Sequence, residues 1–189
     1  MIKDLVIKSR SYRRFHQDVI IDPNTLRELV ELARLSPSAA NLQPLRYILS
    51  CEQQKNALVF RSLAWAGYLK DWPGPAEGER PAAYIIMLID TQISRNIICD
   101  HGIAAQSILL GAAEKGLGGC ILAAINREKL RSDLEIAEQY DILLVIALGT
   151  PKEHVLIDTV EDSGDIKYWR DADGTHHVPK RKLDDIIIG

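Results

Sequence analysis

Residues 101–125, HGIAAQSILLGAAEKGLGGCILAAI, decide how the rest of the chain is read. The first part predicts a helix from about Ser94 to Lys115 that is apolar nearly all round. Ile103, Ala104, Ala105, Ile108, Leu109, Leu110, Ala112 and Ala113 leave it little polar face. Such a helix belongs in a core or in a large subunit interface. The run Gly116-Leu117-Gly118-Gly119 then closes the helix and opens a strand, predicted over Cys120–Ile125. That order excludes a dinucleotide fingerprint, in which the glycines follow a strand and the helix N-terminus carries the pyrophosphate. Two readings of the glycines stay open: a helix C-cap, or side-chain-free backbone that lets a flat ring approach closely.

Toward the N-terminus, Asp22 can cap and Pro23 can open a helix with Leu26, Leu29, Val30 and Ala33 at helical spacing. It should end before Pro37. A short helix is predicted from Ile2 to about Arg10, and a polar turn leading to an extended stretch over Ser11–Ile21. Pro37–Pro44 reads as loop, Leu45–Cys51 as strand, and Glu52 to about Tyr68 as helix. The prolines and glycines of Asp71–Pro81 make a loop, and Ala82–Asp90 a buried strand. Beyond the glycines come a weak helix at Arg127–Leu134 and a strand at Asp141–Leu148. Past Pro151 the chain is charged and reads as loop up to Lys180, then ends in the apolar run Leu183–Ile188. Helices and strands alternate without a regular βαβ period, which favours a mixed sheet flanked by helices.

With 47% hydrophobic residues in 189, the chain can bury a core, which excludes disorder as its main state. No apolar run approaches the roughly 18–20 residues that a bilayer helix needs. The start, Met1-Ile2-Lys3-Asp4, lacks a leader pattern, and Cys51, Cys99 and Cys120 lack CxxC spacing. They read as reduced thiols, so a cytoplasmic protein is expected, without a disulfide frame or zinc site. A net charge of −3 argues against nucleic acid as the partner. Yet Arg10, Arg13 and Arg14 cluster near one end of the chain and Lys180-Arg181-Lys182 near the other. Two compact basic clusters in an acidic protein suit a small anion.

Three segments carry candidate chemistry. In Arg10-Ser11-Tyr12-Arg13-Arg14-Phe15, three guanidiniums and a hydroxyl can hold a phosphate, or the segment is a solvated basic turn. Ser38-Ala39-Ala40-Asn41-Leu42-Gln43-Pro44 offers amide side chains suited to the edge of a heterocycle, or it is a helix-to-strand connector. Trp65, Tyr68 and Trp72 either roof a pocket for a flat substrate or form a packing cluster. His176-His177 has no third ligand at metal spacing and reads as a surface doublet. No GxSxG elbow or paired-carboxylate context is present.

Taken together, these segments resemble the nitroreductase family of FMN-dependent, NAD(P)H-using oxidoreductases. Arg10–Phe15 is similar to the family's RSxRxF signature, and Pro37–Pro44 to its PSxxNxQP loop. Glu114–Cys120 resembles its glycine turn, Leu148–Pro151 its LGxP strand end, and Val178–Leu183 its basic C-terminal element. Leu45 stands where the family often has Trp, and Ser9 where a second Arg often opens the signature. The resemblance implies an α+β fold, a nitroreductase-like three-layer α/β/α sandwich with a mixed, mostly antiparallel sheet, in an intertwined homodimer. Residues 1–189 would form one FMN-binding domain, with an arm from about 152 onward.

Each of two tightly bound FMN molecules would sit at the subunit interface. Arg10, Ser11 and Arg13 would contact it from one subunit, Lys180 and Arg181 would help hold its phosphate, and Gly118 and Gly119 would lie against the ring. Pro37, Ser38, Asn41 and Gln43 would reach it from the other subunit. The segment carrying Trp65, Tyr68 and Trp72 would help shape the substrate pocket. The implied reaction is ping-pong: NAD(P)H, a transient co-substrate, gives hydride to flavin N5, then a nitroaromatic or quinone-like acceptor is reduced. The flavin carries the chemistry, so no protein catalytic residue or metal is called for. Arg13 is the candidate for balancing negative charge on the reduced flavin. The alternative is a flavin-binding module or sensor of the same fold without turnover.

Overall fold

The computed structural model describes residues 1–96, 98–161 and 164–189. The element that organises it is β3 (Ala83–Asp90), buried along all eight residues. A strand buried on both faces needs a layer on each side, and side-chain alternation assigns them. Ala83, Ile85 and Met87 pack with Leu26 and Leu29 of α2 (Pro23–Arg34) and with Ala104, Ala105 and Ile108 of α4 (Asp100–Glu114). Tyr84, Ile86 and Leu88 pack the other way, with Val59 of α3 (Gln53–Phe60) and Leu130 of α5 (Arg127–Asp133). The result is helix layers on both faces of one sheet, an α+β architecture.

That sheet runs β1 (Phe15–His16), β5 (Tyr140–Pro151), β3, β2 (Leu45–Ser50), with β4 (Gly118–Leu122) also paired to β5. Its four ladders are all antiparallel. The register slips between Met87 and Leu88, where Met87 faces Leu144 but Leu88 faces Ile142. One extra residue on β5, Leu143, is a bulge, and it turns Ile142 to the opposite face from Leu144. Arg127 holds this bulge by donating to the Ile142 and Leu143 carbonyls at 2.9 and 3.2 Å.

Helix α2 begins as its sequence dictates: Asp22 accepts from the Asn24 amide at 2.7 Å and Pro23 opens the first turn. It crosses α4 closely enough that a Cβ on Gly111 would lie 2.2 Å from a Leu32 methyl. Helix α4 starts at Asp100, later than its periodicity predicts. Ser94 turns the chain on itself, its hydroxyl donating to the Asn96 carbonyl and accepting from the Asn96 amide; the Ile97 part of the predicted helix lies outside the described residues. The face of α4 away from the core leaves Ile103 exposed and Leu110 half-buried. The short helix α1 (Ile2–Lys8), which buries none of its own residues, packs against α4.

Two further predictions are corrected. Helix α3 ends at Phe60 rather than near Tyr68, because Ala64 donates to the Ala124 carbonyl and Leu63 bridges Ile125. The segment past Pro151 is not loop throughout. It contributes a second sheet in which β8 (His176–Lys180) pairs parallel with β6 (Val155–Thr159) and antiparallel with β7 (Trp169–Arg170). This β6–β8 ladder supplies the parallel part of the expected mixture. No described helix is long and apolar enough to cross a membrane.

Candidate functional site

The Arg10–Phe15 segment leaves α1 and lies directly on the glycine turn. The Tyr12 amide donates to the Gly119 carbonyl at 3.0 Å, and Ser11 bridges Gly119. The chain's own packing explains both glycines. A Cβ on Gly118 would lie 2.4 Å from the Tyr12 ring and 2.7 Å from Pro151; one on Gly119 would lie 2.5 Å from Leu109. Arg10 donates to the Val6 carbonyl at 2.6 Å, while its buried Nε has no partner.

Arg13 is 9% exposed, so it is no solvated turn residue. Its guanidinium donates to the Ser11 carbonyl at 3.1 Å, meets His176 Nε2 at 3.0 Å, and sits 4.7 Å from the centre of the Tyr168 ring. Beneath it, Glu153 Oε1 accepts from the Arg13 and Arg14 amides, and Oε2 pairs with Arg170 at 2.8 Å. Arg14 forms a two-point ion pair with Glu79, which holds that carboxyl down to about 2. The neighbouring thiol of Cys120 is pushed up by burial.

The doublet His176-His177 is split, one ring fully buried and the other partly exposed, which corrects the expectation of a surface doublet. Adjacent residues on β8 point to opposite faces. His176 is fully buried and its Nδ1 has no partner. Desolvation first, then the charges of Arg13, Arg170 and His177, bring its pKa down to about 4. His177 lies between Asp158 (2.8 Å) and Asp171 (3.3 Å), stacked on Trp169 at 4.1 Å. Those two carboxylates raise its pKa. Lys180 and Arg181, just beyond on the same strand and its exit, are exposed and form no ion pair among the described residues.

The Pro37–Gln43 loop is built separately. Asp100, buried at the start of α4, accepts from the Ser38 hydroxyl at 2.6 Å and from the Ala39 amide at 3.1 Å. Ser38 in turn accepts from the Gln43 amide at 2.9 Å. Ala40, Asn41 and Gln43 all have positive φ, at 49°, 54° and 52°. Left-handed backbone at three non-glycine positions is costly and persists only where contacts impose it. The loop presents Pro37, Asn41 and Gln43 to solvent. Pro37, Ser38 and Gln43 border a cavity of about 710 Å³, together with Arg27, Arg46 and Asp100. The residues bordering it include none of Arg10, Ser11, Arg13, Gly118, Gly119, Lys180 or Arg181. Within one chain the predicted cofactor residues are thus not brought to a single cavity.

Of the three aromatics, Trp65 packs in the second core beside Phe60. Trp72 also packs against that core, and both Tyr68 and Trp72 meet the C-terminal segment: Tyr68 lies 4.9 Å from the Tyr168 ring, and the Arg170 guanidinium lies 4.5 Å above Trp72. Sequence reading missed Glu153, Tyr168, Arg170 and Asp100, and took His176 for surface. Only Asp100, an acid at the start of a strong helix, carried a local signal. Among the described residues no three His, Cys, Asp or Glu side chains gather as a metal site.

The nitroreductase family profile matches residues 7–150. A protein of Archaeoglobus fulgidus, provisionally named NADH dehydrogenase/NAD(P)H nitroreductase, is 26% identical over 156 residues, spanning 78% of this chain and 84% of its own. The solved nitroreductase family protein of Streptococcus pneumoniae superposes over the whole of both chains with a TM-score of 0.70 at 20% identity. The FMN-dependent nitroreductase of Clostridium difficile superposes at 0.61 and 24% identity, over 79% of this chain and 87% of its own.

Proposed function

Because this chain belongs to the nitroreductase family, we propose that it is an FMN-dependent oxidoreductase using NAD(P)H to reduce an electron-poor acceptor, a nitroaromatic or quinone, by a ping-pong route. The chemistry the cofactor supplies is hydride transfer through flavin N5. The observation that carries the reading is the meeting of Ser11 and Tyr12 with the glycine turn, while His176 of strand β8 reaches Arg13 from the far end of the chain.

The donor set fits a phosphorylated flat anion. Arg10 keeps a buried Nε without a partner, and Lys180 and Arg181 carry charges that no described acid neutralises. Each charge-assisted bond to a phosphate oxygen would contribute about 1.5–3 kcal/mol. Arg13 would balance negative charge gathering on a ring bound beside it. The 37–43 loop would meet the same ring from a second copy of the chain, Asn41 and Gln43 offering amides to its edge. Exposed apolar residues support such a partner: Ile2, Val6 and Ile7 of α1, Leu42 of the loop, Ile103 of α4, and Leu183, Ile186, Ile187 and Ile188 at the end. On this reading residues 1–189 act as one cytoplasmic unit, with the segment from about 152 as its arm.

The test is the colour of the purified protein. Wild type is expected to carry yellow flavin, bleached anaerobically by NADH or NADPH and restored by nitroaromatics or quinones. Arg10→Ala with Arg181→Ala is expected to be mostly colourless. A double variant that keeps its flavin contradicts the phosphate assignment, and flavin that neither nucleotide bleaches leaves a binding module without turnover.

A further inference from the structure

We propose that His176 is the positioning residue for Arg13: a neutral acceptor on β8 that fixes the guanidinium beside the cofactor without cancelling its charge. This rests on the FMN reading above. It does not come from family membership, because His176, Tyr168, Arg170 and Glu153 all lie beyond the stretch that the family profile matches.

A guanidinium has five N–H donors and no acceptor, so burying it requires partners. The usual partner for a buried cation is a carboxylate. Arg13 has none on its guanidinium among the described residues. The nearest acid, Glu153, has its oxygens engaged by the Arg13 and Arg14 amides and by Arg170. The guanidinium has instead a backbone carbonyl, the face of Tyr168, and His176 Nε2. All three orient a cation and none carries a negative charge. A carboxylate in the place of His176 would orient the group equally well and would also neutralise it toward an anionic ligand.

The bond also fixes the imidazole. Arg13 can only donate, so Nε2 must carry a lone pair and the proton must sit on Nδ1. Burial and the surrounding positive charges of Arg13, Arg170 and His177 keep the ring neutral near pH 7. The Tyr168 ring, 5.2 Å from the imidazole and itself against Tyr68, closes the cluster from the other side.

Two measurements test this on the full-length chain. The first is FMN titration, followed by flavin fluorescence, with melting temperature recorded for each variant. Loss of a charge-assisted contact predicts that His176→Leu weakens FMN about tenfold or more, while His176→Gln, which keeps an acceptor, stays within about threefold of wild type. The flavin potential should fall in the Leu variant and not in the Gln variant. Equal weakening by Leu and Gln, or wild-type affinity and potential in Leu, overturns the proposal. The second needs no variant: ¹⁵N NMR of the imidazole should show His176 unprotonated at Nε2 and protonated at Nδ1, with the Nε2 signal moving when FMN is added. A proton on Nε2 overturns it. Wild type that binds no FMN at all would instead bring down the functional reading itself, whereas binding by wild type with indifferent variants would bring down only the role of His176.

Discussion

The two groups of candidate residues are built by opposite means. Around Arg13, side chains from residues 13, 153, 168, 170 and 176 converge from distant parts of the chain, with Arg13, Glu153 and His176 buried and Tyr168 and Arg170 half-buried. In the 37–43 loop, one buried carboxylate and a local run of left-handed backbone shape an exposed surface. The first is a rigid, charge-rich floor, and the second is a tip held by a single post. The contrast teaches that a cation can be presented by long-range packing while an amide edge needs only a local turn, and that the two fail differently.

The sharpest way to break the comparison is Glu153→Ala. Its side chain is fully buried and joins two amides to Arg170. Removing it strands a buried guanidinium and should cost about 3–5 kcal/mol in chemical denaturation, felt across the whole protein. A loss below about 1 kcal/mol, the range of an exposed pair, would show that the floor is not one unit. Asp100→Ala should cost less, about 1–3 kcal/mol for unsatisfied partners. Its signature should be local: faster hydrogen exchange at the Ala39 and Gln43 amides with the β3 amides unchanged. Exchange that rises evenly across both regions would erase the distinction.

The smallest effects are opposed pH slopes at adjacent residues. His176 is buried against Arg13 and feels the charges of Arg13, Arg170 and His177, and its pKa is brought down to about 4, below the ordinary 6.5. The unfolded chain therefore binds a proton first, and stability falls as pH drops from about 6.5 toward 4. His177 faces Asp158 and Asp171 and its pKa is raised. Its contribution is complete below the ordinary value and is lost as pH rises through the raised one. His176→Gln should flatten the acid side of a melting-temperature profile, and His177→Gln the neutral-to-alkaline side. Variants that flatten the same side would contradict the opposite-face placement on β8.

Much of the main sheet and its helices was legible because its signals are local. Asp22 and Pro23 start α2 within three residues, and the apolar run 83–90 has the length of a buried strand. Misplaced boundaries came from contacts the sequence does not display: Leu63 with Ile125 at the end of α3, and the Ser94 turn before α4. The C-terminal sheet was invisible for a stronger reason. Its parallel pairing sets Val155 against His176, with short strands in a charged, histidine- and glycine-bearing segment. Without that strand, two adjacent histidines cannot be assigned to opposite faces, so the buried one passed as surface. The loop at 37–43 was readable as a loop, but its positive φ angles were not, since nothing in Ala40 asks for them.

The central claim, that one copy supplies the Arg10–Arg13 floor and another the 37–43 tip of a single flavin site, is tested most directly by mixing defects. One chain would carry Arg10→Ala with Arg13→Ala, the other Asn41→Ala with Gln43→Ala, each alone binding little FMN. Co-expressed and pairing at random in a two-fold dimer, they should regain about a quarter of the wild-type flavin content, because half the dimers then hold one site with both halves intact. A mixture that stays as colourless as its components would contradict the account.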